Sequence, residues 1–159
     1  MLNTHATVRC LLIPINGGQL LLPSAVVAEV SSYNQAEPFA KNQPNWLLGM
    51  INWRSQRVPL LSIEEALLLP SVALTETKYR TVILHGLEFA SAMPFYAFQA
   101  TDVPRPITIK EDSFTHFSPE ARTGLVFHVT ISDQNTAWLP DVVYLENLLT
   151  KSPLLSRPT

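Results

Sequence analysis

The apolar positions of this chain fall into short runs rather than long periodic stretches. Residues 9–15, 19–22, 57–61, 79–84, 95–98 and 124–131 are each of strand length and each is bounded by turn residues. Asn16-Gly17-Gly18 separates the first two. Both glycines can take positive φ, which predicts a hairpin. His85-Gly86-Leu87-Glu88 and Ser132-Asp133-Gln134-Asn135 hold the same place between later pairs. Val126, His128 and Thr130 alternate with Leu125, Phe127, Val129 and Ile131, a period of two that predicts a strand with one face more apolar than the other.

Helical signals are few. Ser62-Ile63-Glu64-Glu65 reads as a capping box opening a short helix through Leu68 or Leu69, stopped before Pro70. Pro140 and Asp141 begin a second helix, with Val142, Leu145, Leu148 and Leu149 as its apolar stripe. Pro44 is expected to start a single turn through Leu48. Residues 72–78 read as a polar linker and 102–116 as a long loop or edge strand. Residues 151–159 read as a frayed tail on a core of about 9–150. Leu22-Pro23-Ser24-Ala25-Val26-Val27 echoes Leu139-Pro140-Asp141-Val142-Val143, and each is expected to be a strand running into a short helix. The pattern predicts one mainly-β domain over 1–159, with seven to ten short strands arranged as barrels.

Composition narrows the function classes. Of the 159 residues 47% are hydrophobic, enough for a packed core, and 15% are charged, against roughly 25% in an average soluble domain. So thin a charge favours a protein that works in contact with partners. Eleven basic against thirteen acidic residues give a net charge of −2, which argues against electrostatic binding to nucleic acid or anionic lipid. The lone Cys10 excludes an intramolecular disulfide and thiolate clusters, and its apolar run points to a buried structural thiol. No signal peptide and no apolar stretch of membrane-spanning length is present, so a cytoplasmic protein without direct membrane insertion is expected.

Enzyme signatures are nearly absent: there is no phosphate-binding glycine loop, no nucleophile-elbow serine and no histidine pair at metal spacing. His5, His85, His116 and His128 lie far apart and read as core-edge or surface imidazoles. Neither catalysis, a metal nor a cofactor is expected.

The informative segment is Pro44-Asn45-Trp46-Leu47-Leu48-Gly49-Met50-Ile51-Asn52-Trp53-Arg54-Ser55-Gln56-Arg57-Val58-Pro59-Leu60-Leu61-Ser62-Ile63. It resembles the signature of the CheW family, the adaptors of bacterial chemosensory arrays: a short helical turn, Gly-Val-Ile-Asn-Leu-Arg-Gly, an apolar strand with Val-Pro, then Asp-Leu opening a helix. Gly49, Ile51, Asn52, Arg54, Val58 and Pro59 match in place. Val26-Val27-Ala28-Glu29-Val30 is similar to the family's Val-x-Glu-Val segment, and residues 138–149 to its closing strand and Leu-rich helix. Ser55 stands where the family has glycine, and Ser62-Ile63 where it has Asp-Leu, which suggests a divergent member, of a system controlling pili or twitching motility.

The resemblance implies a CheW-like, SH3-like double β-barrel of two five-stranded barrels with short helices. It implies a non-catalytic adaptor, its shared groove binding the cytoplasmic helical tip of a chemoreceptor and its barrel ends the regulatory domain of a CheA-type histidine kinase. It also implies recruitment to inner-membrane receptor arrays. Val27, Val30, Ile51, Arg54 and Val58 are the candidate receptor-side residues, and Glu29, Gly49, Asn52 and Pro59 the structural signature. Gly49 is expected to supply positive φ at a helix C-terminus, and Asn52 to stabilise a turn. Two uses of Arg54 stand open, a partner contact from a surface loop or a pair with Glu29. Trp46 and Trp53 stand open between core packing and interface anchoring. Rival readings are a kinase-binding array spacer without receptor binding, and a small β-barrel ligand binder or enzyme.

Overall fold

The computed structural model describes residues 6–38, 43–69, 79–110, 113–114, 116–119, 124–132 and 135–152. In chain order these form β1 (Thr7–Ile15), β2 (Gly18–Pro23), a 3-10 turn (Ser24–Val26), β3 (Val27–Ser32), β4 (Leu47–Trp53), β5 (Gln56–Leu61), α1 (Ile63–Ala66), β6 (Arg80–His85), β7 (Phe95–Ala100), β8 (Arg105–Lys110), β9 (His116–Pro119), β10 (Leu125–Ser132), β11 (Asn135–Pro140) and α2 (Val142–Thr150). All six apolar runs read from the sequence are strands, and the segment after residue 102 contributes the edge strand β8.

The strands make two sheets. One has the order β8-β1-β2-β11-β10-β9 and the other β3-β6-β7-β5-β4. The expected five strands per barrel hold for the second, while the four-residue β9 adds a sixth to the first. The chain passes from the first sheet to the second after β2 and returns after β7. Each sheet therefore holds one parallel pair, β2 with β11 and β5 with β7, among antiparallel neighbours.

Side-chain alternation turns these sheets into barrels. Ile109 of β8 shares a core cluster with Val129 and Ile131 of β10, although three strands lie between them in the sheet. Only a sheet curled on itself brings them together. Ala28, Ile51, Val58, Ile83 and Ala97 place all five strands of the second sheet around another cluster. Between the barrels lies the largest core. Ile13, Leu20 and Leu22 enter it from one side, and Leu61, Val82, Leu84, Tyr96 and Phe98 from the other, with Leu145 and Leu149 of α2. Strands such as β1 and β6 are thus buried on both faces. Leu12 points into its own barrel and Ile13 into the shared core. That is why their sequences are unbroken apolar runs instead of alternating ones. Hydrogen bonds from Asn16 N to Glu64 Oε2 (2.7 Å) and from Thr101 N to Pro14 O (2.9 Å) join the barrels at their edges.

Local chemistry accounts for the ends of elements. In the β1–β2 hairpin Gly17 takes φ 87°, while Gly18 opens β2 opposite Ile15 without a positive φ. Ser62 caps α1 by accepting from Glu65 N at 3.4 Å, but the box is only half made. Ser62 N donates to Trp46 O, and Glu65 Oε2 accepts from Asn45 Nδ2. The helix accordingly closes at Ala66, earlier than expected, with Leu68 already at φ 56°. Pro44 starts a turn closed by Leu47 N, but Leu47 and Leu48 belong to β4. The two echoed segments do each run from strand into helix, and Asp141 caps α2 by accepting from the amides of Val143 and Tyr144. Lys151 caps α2 at its end and Ser152 is buried. The polar linker at 72–78 and residues 153–159 lie outside the described residues.

Candidate functional site

The signature segment builds the β4–β5 hairpin. Trp53 pairs with Gln56, leaving Arg54 (φ 49°) and Ser55 (φ 62°) as a two-residue turn. Two left-handed residues in succession make the turn whose twist matches that of the flanking strands. The family's glycine after the arginine is thereby explained, and Ser55 bears the strain of its Cβ. The surface loop expected to present Arg54 is this tight strand-to-strand turn.

Alternation along the hairpin sorts the candidates. Ile51 and Val58 pair directly across β4 and β5 and point into the barrel, 2% and 1% exposed. They are core residues, which corrects their assignment to a receptor-side surface. Met50, Asn52, Arg57 and Pro59 take the opposite face, one step out of phase. Asn52 is the next-to-last residue of β4, beside the turn rather than within it, and its Oδ1 accepts from the facing Arg57 Nη1 at 3.4 Å. Val27 is half-buried against the shared core and Val30 is 36% exposed. Trp46 packs against the shared core, and Trp53 packs inside the second barrel, edge-on to Phe95 with centroids 4.8 Å apart. The Trp53 Nε1 is buried and has no partner among the described residues.

β3 and β4 are the two edges of the second sheet, and polar contacts close the seam between them. Glu37, on the segment after β3, exchanges backbone hydrogen bonds with Met50 at 2.8 and 3.0 Å. Gly49 makes this approach possible. It sits at a bulge in β4 with φ +144°, and a Cβ there would lie 2.2 Å from the Glu37 carbonyl oxygen. Its positive φ thus serves a strand seam, not a helix C-terminus. Side chains reinforce the seam. Arg54 Nη2 donates to Glu29 Oε1 at 2.6 Å, and Arg57 Nη1 to Glu37 Oε1 at 2.6 Å. The Arg54 guanidinium also lies 4.8 Å from the centre of the Trp53 ring. Even so, its side chain is 67% exposed, so it remains available to solvent and to partners.

Beside the hairpin lies a groove of about 250 Å³. Met50, Arg57 and Pro59 line it from the hairpin, Met93 and Pro94 from the β6–β7 connection, and Leu149 and Thr150 from the last turn of α2. Its volume falls below the ~300 Å³ at the small end of ligand cavities. It suits one or two apolar side chains presented by a protein better than a free metabolite.

The other candidate chemistry is dispersed. The His85 ring lies tilted against Phe95, and the His128 ring tilted against Trp138. Among the described residues no group of three or more His, Cys, Asp or Glu could hold a metal ion. Cys10 is buried, and burial pushes its thiol pKa up, away from reactivity. None of the described helices is long and apolar enough to cross a membrane.

Sequence reasoning missed Glu146. It is fully buried, and its carboxylate accepts from Leu87 N and Phe89 N in the β6–β7 connection. A signal was present, since Glu146 falls between Val142 and Leu149 on the apolar stripe of its helix.

Comparison with known proteins agrees with this architecture. The CheW-like domain family matches residues 9–148. Among solved structures, the scaffolding protein TtCheW from Thermoanaerobacter tengcongensis superposes with a TM-score of 0.67 at 15% identity, covering 86% of this chain and 90% of that one. No curated protein matches the chain significantly. The family match spans nearly the whole double barrel, so the chain belongs to the CheW-like domain family, whose members are non-catalytic scaffolds and adaptors of chemotaxis signalling.

Proposed function

We propose that this chain is a chemosensory adaptor that couples the cytoplasmic helical tip of a chemoreceptor to the regulatory domain of a CheA-type histidine kinase, in chemotaxis or type IV pilus motility. The observation that carries the reading is the exposed Arg54 at the tip of the β4–β5 hairpin, with an apolar groove beginning two residues further on at Gln56. A helical hairpin laid along this edge would set acidic side chains or helix-end carbonyls against Arg54 and an apolar side chain into the groove. Val27 and Val30 on β3 are the further receptor-side candidates of this reading, although their register partners Leu84 and Val82 put them on the strand face opposite Glu29. The kinase domain would take a barrel end, and the protein would work in the cytoplasm at receptor arrays in the inner membrane. Holding both partners in register lets receptor state shift kinase activity without chemistry in the adaptor.

A second reading gives the chain a place in the kinase ring without a receptor. Its support is that Arg54 is already engaged by Glu29 and that Ser55 strains the turn presenting it.

Separate titrations against the receptor tip hairpin and the kinase regulatory domain of the same bacterium test these readings. Binding of both is expected. Kinase binding alone would establish the spacer reading, and binding of neither would refute both.

A further inference from the structure

The geometry points to Glu146 as a positioning residue that fixes one wall of the groove, so that partner affinity depends on a side chain no partner touches. This inference rests on the groove being the docking surface proposed above.

The walls of the groove differ in how they are held. The hairpin wall belongs to a hydrogen-bonded sheet, and the α2 wall to a capped helix. The remaining wall, Ala92-Met93-Pro94, belongs to the irregular connection 86–94 between β6 and β7. Its internal backbone bonds are Gly86 N to Pro94 O, and Ala92 N and Met93 N to Phe89 O. These shape the connection without tying it to the rest of the molecule. Two contacts supply that tie: Met93 is buried in the shared core, and Glu146 holds the amides where the connection leaves β6. Its Oε1 accepts from Leu87 N at 3.0 Å and from Phe89 N at 3.0 Å, and its Oε2 from Leu87 N at 3.1 Å.

A leucine would fill this place on the apolar stripe of α2 without the cost of desolvating a charge. What the carboxylate adds is direction. Two acceptor oxygens turned on the amides of one loop hold its path against the helix. Glu146 itself stands on α2, one turn before the Leu149 and Thr150 wall. Glu146 therefore links the two walls whose separation sets the width of the groove.

The test uses Glu146→Gln, which keeps the size but turns an NH₂ group toward backbone donors, and Glu146→Asp, which keeps the charge but draws it back by one methylene. In either variant the amides of Leu87 and Phe89 should exchange at least about tenfold faster with solvent, while those of Val82 and Ile83 in β6 keep their protection. Affinity for the receptor tip hairpin, measured well below the melting temperature, should fall at least about fivefold. Faster exchange with unchanged affinity would reduce Glu146 to a structural residue and overturn the inference. Unchanged exchange at both amides would overturn the clamp itself. Failure of the docking reading is seen separately, as a wild-type protein that does not bind the tip at all, and it would take the inference with it.

Discussion

Arg54 and Glu29 stand at opposite edges of the five-stranded sheet, on the β4–β5 turn and on β3, yet their side chains meet at 2.6 Å. The ion pair spans the seam that Glu37 and Met50 close through their backbones. Both open uses of Arg54 therefore retain a physical basis: it is paired within the chain, and most of its side chain faces solvent.

Arg54→Ala separates those uses. An ion pair this exposed contributes less than about 1 kcal/mol to stability, so the melting curve should barely move. Loss of a charge-assisted partner contact would cost about 1–3 kcal/mol, roughly five- to 150-fold in affinity. A normal melt with weakened receptor-tip binding is the expected result. A lowered melting temperature with unchanged binding would make Arg54 purely a seam residue.

Ser55→Gly should stabilise the protein. The left-handed conformation costs a residue with a Cβ about 1–2 kcal/mol, and the extra freedom of glycine in the unfolded chain returns about 0.5–1 of it. The net gain is about 0.5–1 kcal/mol, or about 1–4 °C in Tm. Calorimetry of the pair of proteins checks it, and a decrease in Tm would contradict the turn geometry described here.

Ile51→Ala and Val30→Ala test the phase of the strands. Ile51 lies inside the second barrel, so its truncation should cost about 2–5 kcal/mol in denaturant unfolding. The exposed Val30 should cost less than about 0.5 kcal/mol. Comparable costs at the two positions would mean that β3 or β4 has been placed with the wrong face inward.

Tyr96 offers a test in alkali. Burial first, and then the Glu146 carboxylate, push its phenol far above the ordinary value of 10.0. In the native protein it should therefore stay protonated while an unfolded chain would ionise it. The folded state binds the extra proton, so this contribution to stability is complete below pH 10 and declines as pH rises above it. Followed in the ultraviolet, Tyr96 should ionise only together with loss of structure. Ionisation of Tyr96 near its ordinary value in the folded protein would contradict its burial.

Elements and family were legible in the chain itself. Strand runs and the Asn16-Gly17 turn depend on neighbours within a few residues, and local chemistry determines them; the sequence pattern starts the second helix at Pro140, but Pro140 ends β11 and Asp141 caps α2 from outside. The hairpin signature, from Gly49 to Pro59, identified the family because its residues answer to geometric demands such as the left-handed turn at Arg54 and Ser55. The faces of those residues were another matter. In a strand the outward and inward sets differ by a single step, and where both faces are buried the composition does not tell them apart. Ile51 and Val58 read like surface candidates next to Arg54, but tertiary structure turned them inward and brought Met50, Arg57 and Pro59 to the groove. The sequence offers the Glu29–Arg54 pair as one of two uses of the arginine, whereas it carries no sign of the seam the pair spans, the space Gly49 leaves for Glu37 or the hold of Glu146 on Leu87 and Phe89. Each joins segments well separated along the chain, and curling the sheet into a barrel and packing α2 against it are what place them within bonding distance.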